Sequence, residues 1–436
     1  MDFDARAKLK IHRVQRLTAK TEPTTMGPTE VSYKTKGNNM MTVSRRRFLS
    51  ASVAAAATAV VVNPQSVVGA QANSKIEIGL IGCGGRGDWI TEVFKQNPNY
   101  QWVAVADYFE NRVKAVGAKV GVGEDRQYSA LSGYKRLLDS KLDAVVIQTP
   151  PCFHPEQAAD SVDAGKHVFL SKPVAVDVPG CVSIAQSGKK ATEKKLVYLV
   201  DYQTRANRFF REAMRRVHAG DLGELVSVYA FYPWGGGGHD TVLTGPESYL
   251  LNWYQSMELS GCCIVEQDVH ALDVATWVTN ADPLYAAGLG GRKIRKNGDI
   301  YDHYNVTYAF PGNVTLQFAS VKFIPGVRDE IVCKAWGTKG TLETDYFGDV
   351  CIRGVNPYEG GNCADNYWSG AVTNAKEFAE QIIAGDVSNP TVAPSVRSNL
   401  TAILGRDATR QGRLLTWDDM MRANVKLEMK LDGLKQ

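Results

Sequence analysis

The chain has 436 residues, 44% of them hydrophobic and 22% charged, with a formal net charge of +4. That length suits two domains. The positive sign is local: residues 1–72 hold eleven Lys/Arg against four Asp/Glu, leaving 39 basic and 42 acidic residues in the remainder, which argues against a basic nucleic-acid surface and against a nucleic-acid partner. Eight cysteines form no C-x-x-C pair. No His/Cys spacing fits a zinc site, so no metal is expected, and most of the thiols read as small buried apolar groups.

The excess of positive charge has a source. Ser44-Arg45-Arg46-Arg47-Phe48-Leu49 precedes an alanine-rich apolar run, Ala51 to Val62, and Ala70-Gln71-Ala72 follows as a small-x-small cleavage site. Residues 40–72 therefore resemble a twin-arginine signal peptide, which implies the twin-arginine export machinery as a partner and a periplasmic destination. The apolar run is short for a membrane span, and the alternative is an uncleaved N-terminal anchor. Residues 1–39 read as a disordered leader or an over-extended gene start. Such signals serve proteins exported already folded, so any cofactor is expected to be loaded before export and tightly held.

From Lys75 to about Val200 apolar strands alternate with amphipathic helices. Ile76 to Ile81 is a strand ending in Gly82-Cys83-Gly84-Gly85-Arg86-Gly87, which fits G-x-G-x-x-G, and a helix follows over Asp88–Gln96. A second strand, Trp102–Ala106, leads to Asp107, twenty residues past Gly87. That order is a dinucleotide-binding βαβ unit. Gly82 allows the tight turn, Gly84 lets backbone approach a pyrophosphate, and Gly87 lets helix and strand pack closely. The helix N-terminus offers free N–H groups to phosphate. Asp107 can accept from both ribose hydroxyls and repels a 2′-phosphate, so NAD is expected rather than NADP. Arg86 and Arg112 could each reach a phosphate or lie as solvated arginines.

Leu142–Thr149 reads as a buried parallel strand, Pro155–Ala164 as a helix, His167–Leu170 as a strand, Val178–Lys190 as a helix and Leu196–Val200 as a strand. These place a doubly wound Rossmann domain over residues 73–203. Past Gln203 the rhythm changes. A helix is expected over Asn207–His218, then strands at Leu225–Tyr232, Asn305–Phe310, Val314–Phe323, Glu330–Gly337 and Gly340–Thr344, with closing helices near Val372–Ile383 and Val396–Gln411. Residues 204–436 are read as an α+β domain with a mainly antiparallel, open sheet, so the fold class is α/β overall.

Two constellations carry chemistry. Ser171-Lys172-Pro173 puts Lys172 at the carboxyl edge of the sheet, where ligands of doubly wound folds bind. There an ammonium can hydrogen-bond a reacting hydroxyl; the alternative is a surface lysine in a turn. Glu266-Gln267-Asp268-Val269-His270-Ala271-Leu272-Asp273 opens a helix expected to run to Trp277. In it Glu266 and His270 share a face, and Asp273 can orient the ring. An imidazole suits removal of a hydroxyl proton as hydride leaves the same carbon; a structural histidine is the plainer reading. Tyr232, Trp234, Tyr249, Trp253 and Tyr254 could stack on sugar rings or belong to the core. Trp234-Gly235-Gly236-Gly237-Gly238-His239 is read as a mobile loop.

From Lys75 to Met421 the chain resembles the Gfo/Idh/MocA oxidoreductases. The resemblance rests on GLIGCGGRG, DAVVIQTPPCFH (Asp143–His154), AGKHVFLSKPVAVD (Ala164–Asp177), VEQDVHALD (Val265–Asp273) and WGTKGTLE (Trp336–Glu343). It implies a Rossmann domain joined to an open-sheet α/β domain, bound NAD or NADP, sugar, cyclitol or polyol substrates, and a homo-oligomer paired through the open sheet. It matches Lys172 to the family's E-K-P lysine, His270 and Glu266 to its D-x-x-x-H motif, and Thr149, Pro150 and His154 to the loop beside the nicotinamide. Gly85 lies within the matched glycine loop. Ser171 stands where Glu is usual, and Glu266 where Asp is usual.

The reading that follows is an NAD(P)-dependent oxidoreductase moving hydride between a sugar or polyol carbon and a tightly bound nicotinamide cofactor. Two alternatives remain open: an NAD-dependent glycoside hydrolase working by transient oxidation and elimination, and a sugar-binding protein that keeps the nucleotide pocket without catalysis.

Overall fold

Six short strands pair in parallel in the order β3-β2-β1-β4-β5-β6: β1 (Ile76–Ile81), β2 (Tyr100–Asp107), β3 (Gln127–Ser129), β4 (Ala144–Ile147), β5 (His167–Ser171) and β6 (Tyr198–Asp201). The computed structural model describes residues 75–236 and 240–436. The expectations for residues 1–39 and 40–72, and for Gly237, Gly238 and His239 of the glycine-rich loop, lie outside the described residues. β4 is buried at all four positions, as a strand covered on both faces must be. Strand order reverses between β1 and β4. A crevice opens there beyond the carboxyl ends, where such sheets bind ligands.

Nine further strands form a second sheet in the order β14-β13-β12-β11-β7-β10-β9-β8-β15. They are β7 (Leu225–Trp234), β8 (Tyr285–Gly291), β9 (His303–Phe310), β10 (Val314–Lys322), β11 (Val332–Gly337), β12 (Gly340–Asp345), β13 (Asp349–Gly354), β14 (Tyr358–Asn362) and β15 (Leu415–Thr416). Every pairing is antiparallel except β7 with β10. The fold is thus α/β, with a parallel Rossmann-like sheet followed by a mixed, mostly antiparallel one.

β8 was not anticipated, because three of its seven residues are glycine. The reason is packing. A Cβ on Gly288 would stand 2.7 Å from Thr409 Oγ1 and 2.8 Å from the Asn305 carbonyl oxygen, so glycine lets the helix Val392–Gln411 lie close on the strand. The helix Asn366–Ala384 crosses back to the first sheet. Its Ala371, Ala375, Phe378 and Ala379 join a core with Ile78, Val146 and Phe169, and Phe378 meets Phe169 edge to face at 5.6 Å. Residues from the far end of the chain therefore complete one face of the nucleotide-type sheet. All eight cysteines are free thiols, six of them buried.

His154 ties the edge of the first sheet together. It begins the helix His154–Asp163 and is 1% exposed. Its Nδ1 lies 2.7 Å from the Pro173 carbonyl oxygen and its Nε2 2.8 Å from that of Thr149. Burial, outweighing those carbonyls, pulls its pKa down to about 4 from 6.5. Between these values the unfolded chain binds a proton that the folded one does not, so stability rises with pH there. The group should contribute about 3 kcal/mol above pH 6.5, lost progressively as pH falls toward 4. We expect His154→Gln to lose less stability than the parent between pH 7 and pH 4.5 in guanidinium titrations. Equal losses would remove His154 from this role.

Candidate active site

A cleft of about 150 Å³ runs along the carboxyl ends of β1, β2 and β4. Gly82, Gly84, Gly85, Arg86, Asp107, Tyr108, Arg112, Gln148, Thr149 and Pro150 stand on its lining. The glycine loop is shaped by contacts that only glycine tolerates. Gly82 has φ +98°, and a Cβ there would sit 2.7 Å from the backbone of Gln148 and Thr149. A Cβ on Gly87 would stand 1.8 Å from the Gly82 carbonyl oxygen, so helix and loop touch at that point. On the cleft side nothing lies within 4 Å of a Cβ at Gly85. The helix that starts there, Gly85–Phe94, has no side-chain cap, leaving first-turn N–H groups free for an anion. It begins three residues earlier than expected.

Asp107 ends β2 at the cleft. Its carboxylate accepts from the Cys83 N–H at 2.7 Å and the Phe109 N–H at 2.9 Å, which leaves lone pairs for a further donor. Burial raises its pKa, and those two backbone bonds oppose the shift. The two candidate arginines differ. Arg112 lies over the Phe109 ring at 4.7 Å; its Nη1 is 3.6 Å from where a Gly84 Cβ would be, and it makes no ion pair among the described residues. Arg86 lines the cleft, but its guanidinium is committed to buried Asp201 at 2.7 Å and lies over Trp89 at 4.2 Å. It is neither a solvated arginine nor an unengaged one.

Gln148, which sequence reasoning missed, lies on the same lining. It is buried, and both its Oε1 and Nε2 lack a hydrogen-bond partner. A buried primary amide without partners is costly unless a ligand supplies them. This orphaned amide, the uncapped helix end and the open side of the glycine loop fit a dinucleotide. Thr149 is turned to Gln157, its hydroxyl 2.6 Å from Oε1.

Lys172 follows β5 in a cis peptide bond to Pro173. It is mostly buried. Its Nζ donates to the Glu266 backbone carbonyl and to Glu266 Oε1 at 3.0 Å. Ser171 is buried, its hydroxyl 3.5 Å from His154 Nε2. The segment from the second half of the chain differs from expectation in two ways. Glu266 and His270 do not share one helix: Cys263–Glu266 ends, and Val269–Thr279 begins after a break at Gln267 and Asp268. Glu266 consequently faces Lys172 rather than the histidine. Asp273 does not orient the ring either, because Arg205 holds its Oδ1 at 2.8 Å and Ser398 at 2.5 Å.

His270 lies edge-on between Tyr202 and Tyr346, with centroids 6.0 and 5.6 Å away. Its Nδ1 is buried without a partner. Burial first, then the charges of Lys172, Arg86 and Lys322, hold its pKa well below 6.5, so the ring is neutral at neutral pH.

A second missed feature stands beside it. Lys322 and Asp268 are both wholly buried and form an ion pair at 2.5 Å. The ammonium lies 3.4 Å from the Tyr232 ring centroid and donates to the Tyr232 carbonyl at 2.9 Å. The sequence carried a signal for it: Leu316, Phe318 and Ser320 mark the inward register of β10, and Lys322 continues that register. Of the other aromatic candidates, Trp253 lines the nucleotide cleft, Trp234 packs on Phe323, Tyr249 is buried, and Tyr254 donates to Gln267 Oε1 at 2.8 Å. Among the described residues no cluster of three or more His, Cys, Asp or Glu side chains could hold a metal.

Comparison with known proteins agrees with this architecture. Residues 76–202 match the family model described as "Oxidoreductase family, NAD-binding Rossmann fold", and residues 210–343 match that of the "GFO/IDH/MocA C-terminal domain". The chain is 26% identical over 222 residues to inositol 2-dehydrogenase 3 of Saccharopolyspora erythraea, covering 51% of this chain and 59% of that protein. It is 22% identical over 193 residues to the scyllo-inositol 2-dehydrogenase (NAD(+)) of Bacillus subtilis, covering 44% and 50%. The chain thus spans between half and three fifths of these relatives' length. A levoglucosan dehydrogenase solved with NADH and L-sorbose superposes with a TM-score of 0.65 at 16% identity, over 79% of this chain and 99% of that one, which speaks to the fold. With both family models matched in order over about three fifths of the sequence, the chain belongs to the Gfo/Idh/MocA family of oxidoreductases and its first domain is an NAD-binding Rossmann fold.

Proposed function

We propose that this protein transfers hydride between a CH–OH carbon of a sugar or polyol and a tightly held NAD. The observation that carries the reading is the meeting of Lys172, on the edge of the first sheet, with the segment that bears His270. Bound NAD supplies the hydride acceptor. His270, kept neutral by burial and by neighbouring cations, takes the hydroxyl proton on an imidazole nitrogen. Lys172 has three N–H donors, of which Glu266 engages two, and the third is free for the substrate oxygen as charge develops on it. Glu266 acts by holding that ammonium in place. Gly82, Gly84, Gly85, Gly87 and the helix N-terminus receive the pyrophosphate; Asp107 takes the ribose and Arg112 stands beside it. Thr149, Pro150 and His154 shape the nicotinamide end. The inositol dehydrogenases among its relatives support a cyclitol or sugar as substrate.

The signal-like residues 40–72 support export to the periplasm. The open face of the second sheet supports a homo-oligomer, since Leu289 is 78% and Trp336 39% exposed there, with Tyr229 and Phe231 stacked on the same face.

Lys172→Met should lower kcat on a responsive sugar by about a hundredfold or more while the purified protein still releases NAD on denaturation. Near-parental turnover would reject the role of Lys172. The kcat/KM profile should stay level down through pH 6.5, and its acid limb should fall below that value, because a protonated imidazole cannot accept the substrate's proton and burial delays that protonation. An acid limb above pH 6.5 would rule out His270 as the neutral base. Replacing Arg45 and Arg46 together by lysine should leave the protein in the cytoplasmic fraction; unchanged periplasmic recovery would refute the export route.

A further inference from the structure

The nucleotide cleft has a second wall, contributed by the later half of the chain. Leu250 and Trp253 line the same cleft as Asp107 and Tyr108. They belong to the short helix Pro246–Leu251 and the turn Trp253–Gln255, far in sequence from the glycine loop. We propose that residues 424–436, the C-terminal tail, form a clasp that holds this wall against the ribose end of the cleft and so retains the dinucleotide. The inference rests on the nucleotide-binding reading above and deepens it.

The tail's course supports it. After the helix Trp417–Ala423 the chain has no regular secondary structure, yet it is tied down along its length. The Leu427 N–H donates to Asp177 Oδ2 at 2.8 Å, and the Lys430 ammonium pairs with Glu258 at 2.8 Å. Leu434 is buried. Beside it, a Cβ on Gly433 would meet Pro246 at 3.2 Å, so the tail touches the start of the wall helix. At the end, the Leu131 N–H donates to the Lys435 carbonyl at 3.0 Å, and the Lys435 N–H donates to the Tyr108 hydroxyl oxygen at 3.3 Å. Tyr108 in turn donates to Glu247 at 3.0 Å. Tyr108 and Leu131 line the cleft just past the ends of β2 and β3, so the tail and the wall helix converge on the loop next to Asp107.

A bound dinucleotide could not leave past this end while the clasp is seated. The tail is held by a few hydrogen bonds, one ion pair and one buried leucine, which places it among the segments that open locally. Its opening would then set the exchange rate, as lids do elsewhere.

The test is the dissociation rate of NADH from the full-length protein, followed by the loss of its fluorescence on adding excess NAD. Removing residues 425–436 should raise that rate about tenfold or more, and raise the association rate too, because the route in opens with the route out. Leu434→Asp in the intact chain, which unseats the tail without shortening it, should do the same and carries the test if the truncated chain does not fold. Trp253→Ala should raise the dissociation rate alone. Dissociation rates in Leu434→Asp and Trp253→Ala equal to that of the parent overturn the clasp. A parent protein that neither carries nor takes up NADH overturns the nucleotide reading itself, so the two failures are distinguishable.

Discussion

The contact between Lys172 and Glu266 governs the geometry of the candidate site. The lysine closes β5 of the parallel sheet; the glutamate lies in the segment that leads from the second sheet's helices to His270. Their side chains are only 17% and 16% exposed, and the ammonium also holds the glutamate's own carbonyl. A pair this dry is costly to break, on the order of 3–5 kcal/mol when one partner is removed, because the other charge is left without compensation. With Glu266 fixed to Lys172, and with His270 only four residues farther on, the distance from ammonium to imidazole is set by one short stretch of backbone. The break at Gln267 and Asp268 allows this: a continuous helix would have turned the glutamate toward the histidine.

Asp268, inside that break, is anchored separately by Lys322 in the second sheet. The segment 266–270 is thus pinned at one residue to the nucleotide-binding half and at another to the sheet behind it. The remaining cations around His270 are also committed, Arg86 to Asp201, and Asp273 is taken by Arg205. Lys172, Arg86 and Lys322, the cations that act on the imidazole, are thus each paired with an acid, Glu266, Asp201 and Asp268, a balance that on the proposed reading fits a neutral polyol. The paired cations still act on the ring at short range, where the low dielectric keeps them effective.

Much of this was legible in the sequence because it depends on local chemistry. The glycine spacing, the terminal Asp107 and the strand–helix alternation belong to a unit that folds from adjacent elements, and they appear where the residues 76–107 pattern puts them. Strands with strict alternation, such as Val314–Lys322, were equally readable. What escaped was long-range. β8 reads as a loop because its glycines exist to admit a helix more than a hundred residues away. The partners of Glu266 and Asp273 are chosen by Lys172 and Arg205, which no spacing rule connects to them, so helical periodicity gave each carboxylate a neighbour that tertiary structure replaced. Gln148 looked like one more residue at the end of a buried strand; only its unpartnered amide, seen in three dimensions, marks it out.

The depressed basicity of His270 bears on direction as well as rate. An imidazolium formed in a buried site beside Lys172, Arg86 and Lys322 is more acidic than a free one, so on the proposed reading it returns its proton more readily once hydride has moved. If the nucleotide stays bound between turnovers, as proposed, a second carbonyl would have to take the hydride back, and that carbonyl would need a proton from the same ring. A more basic histidine would favour the oxidising half-reaction and hold back the reducing one. Burial and surrounding positive charge shift the ring toward releasing its proton, which on the proposed reading serves the reducing half-reaction that a retained dinucleotide would require.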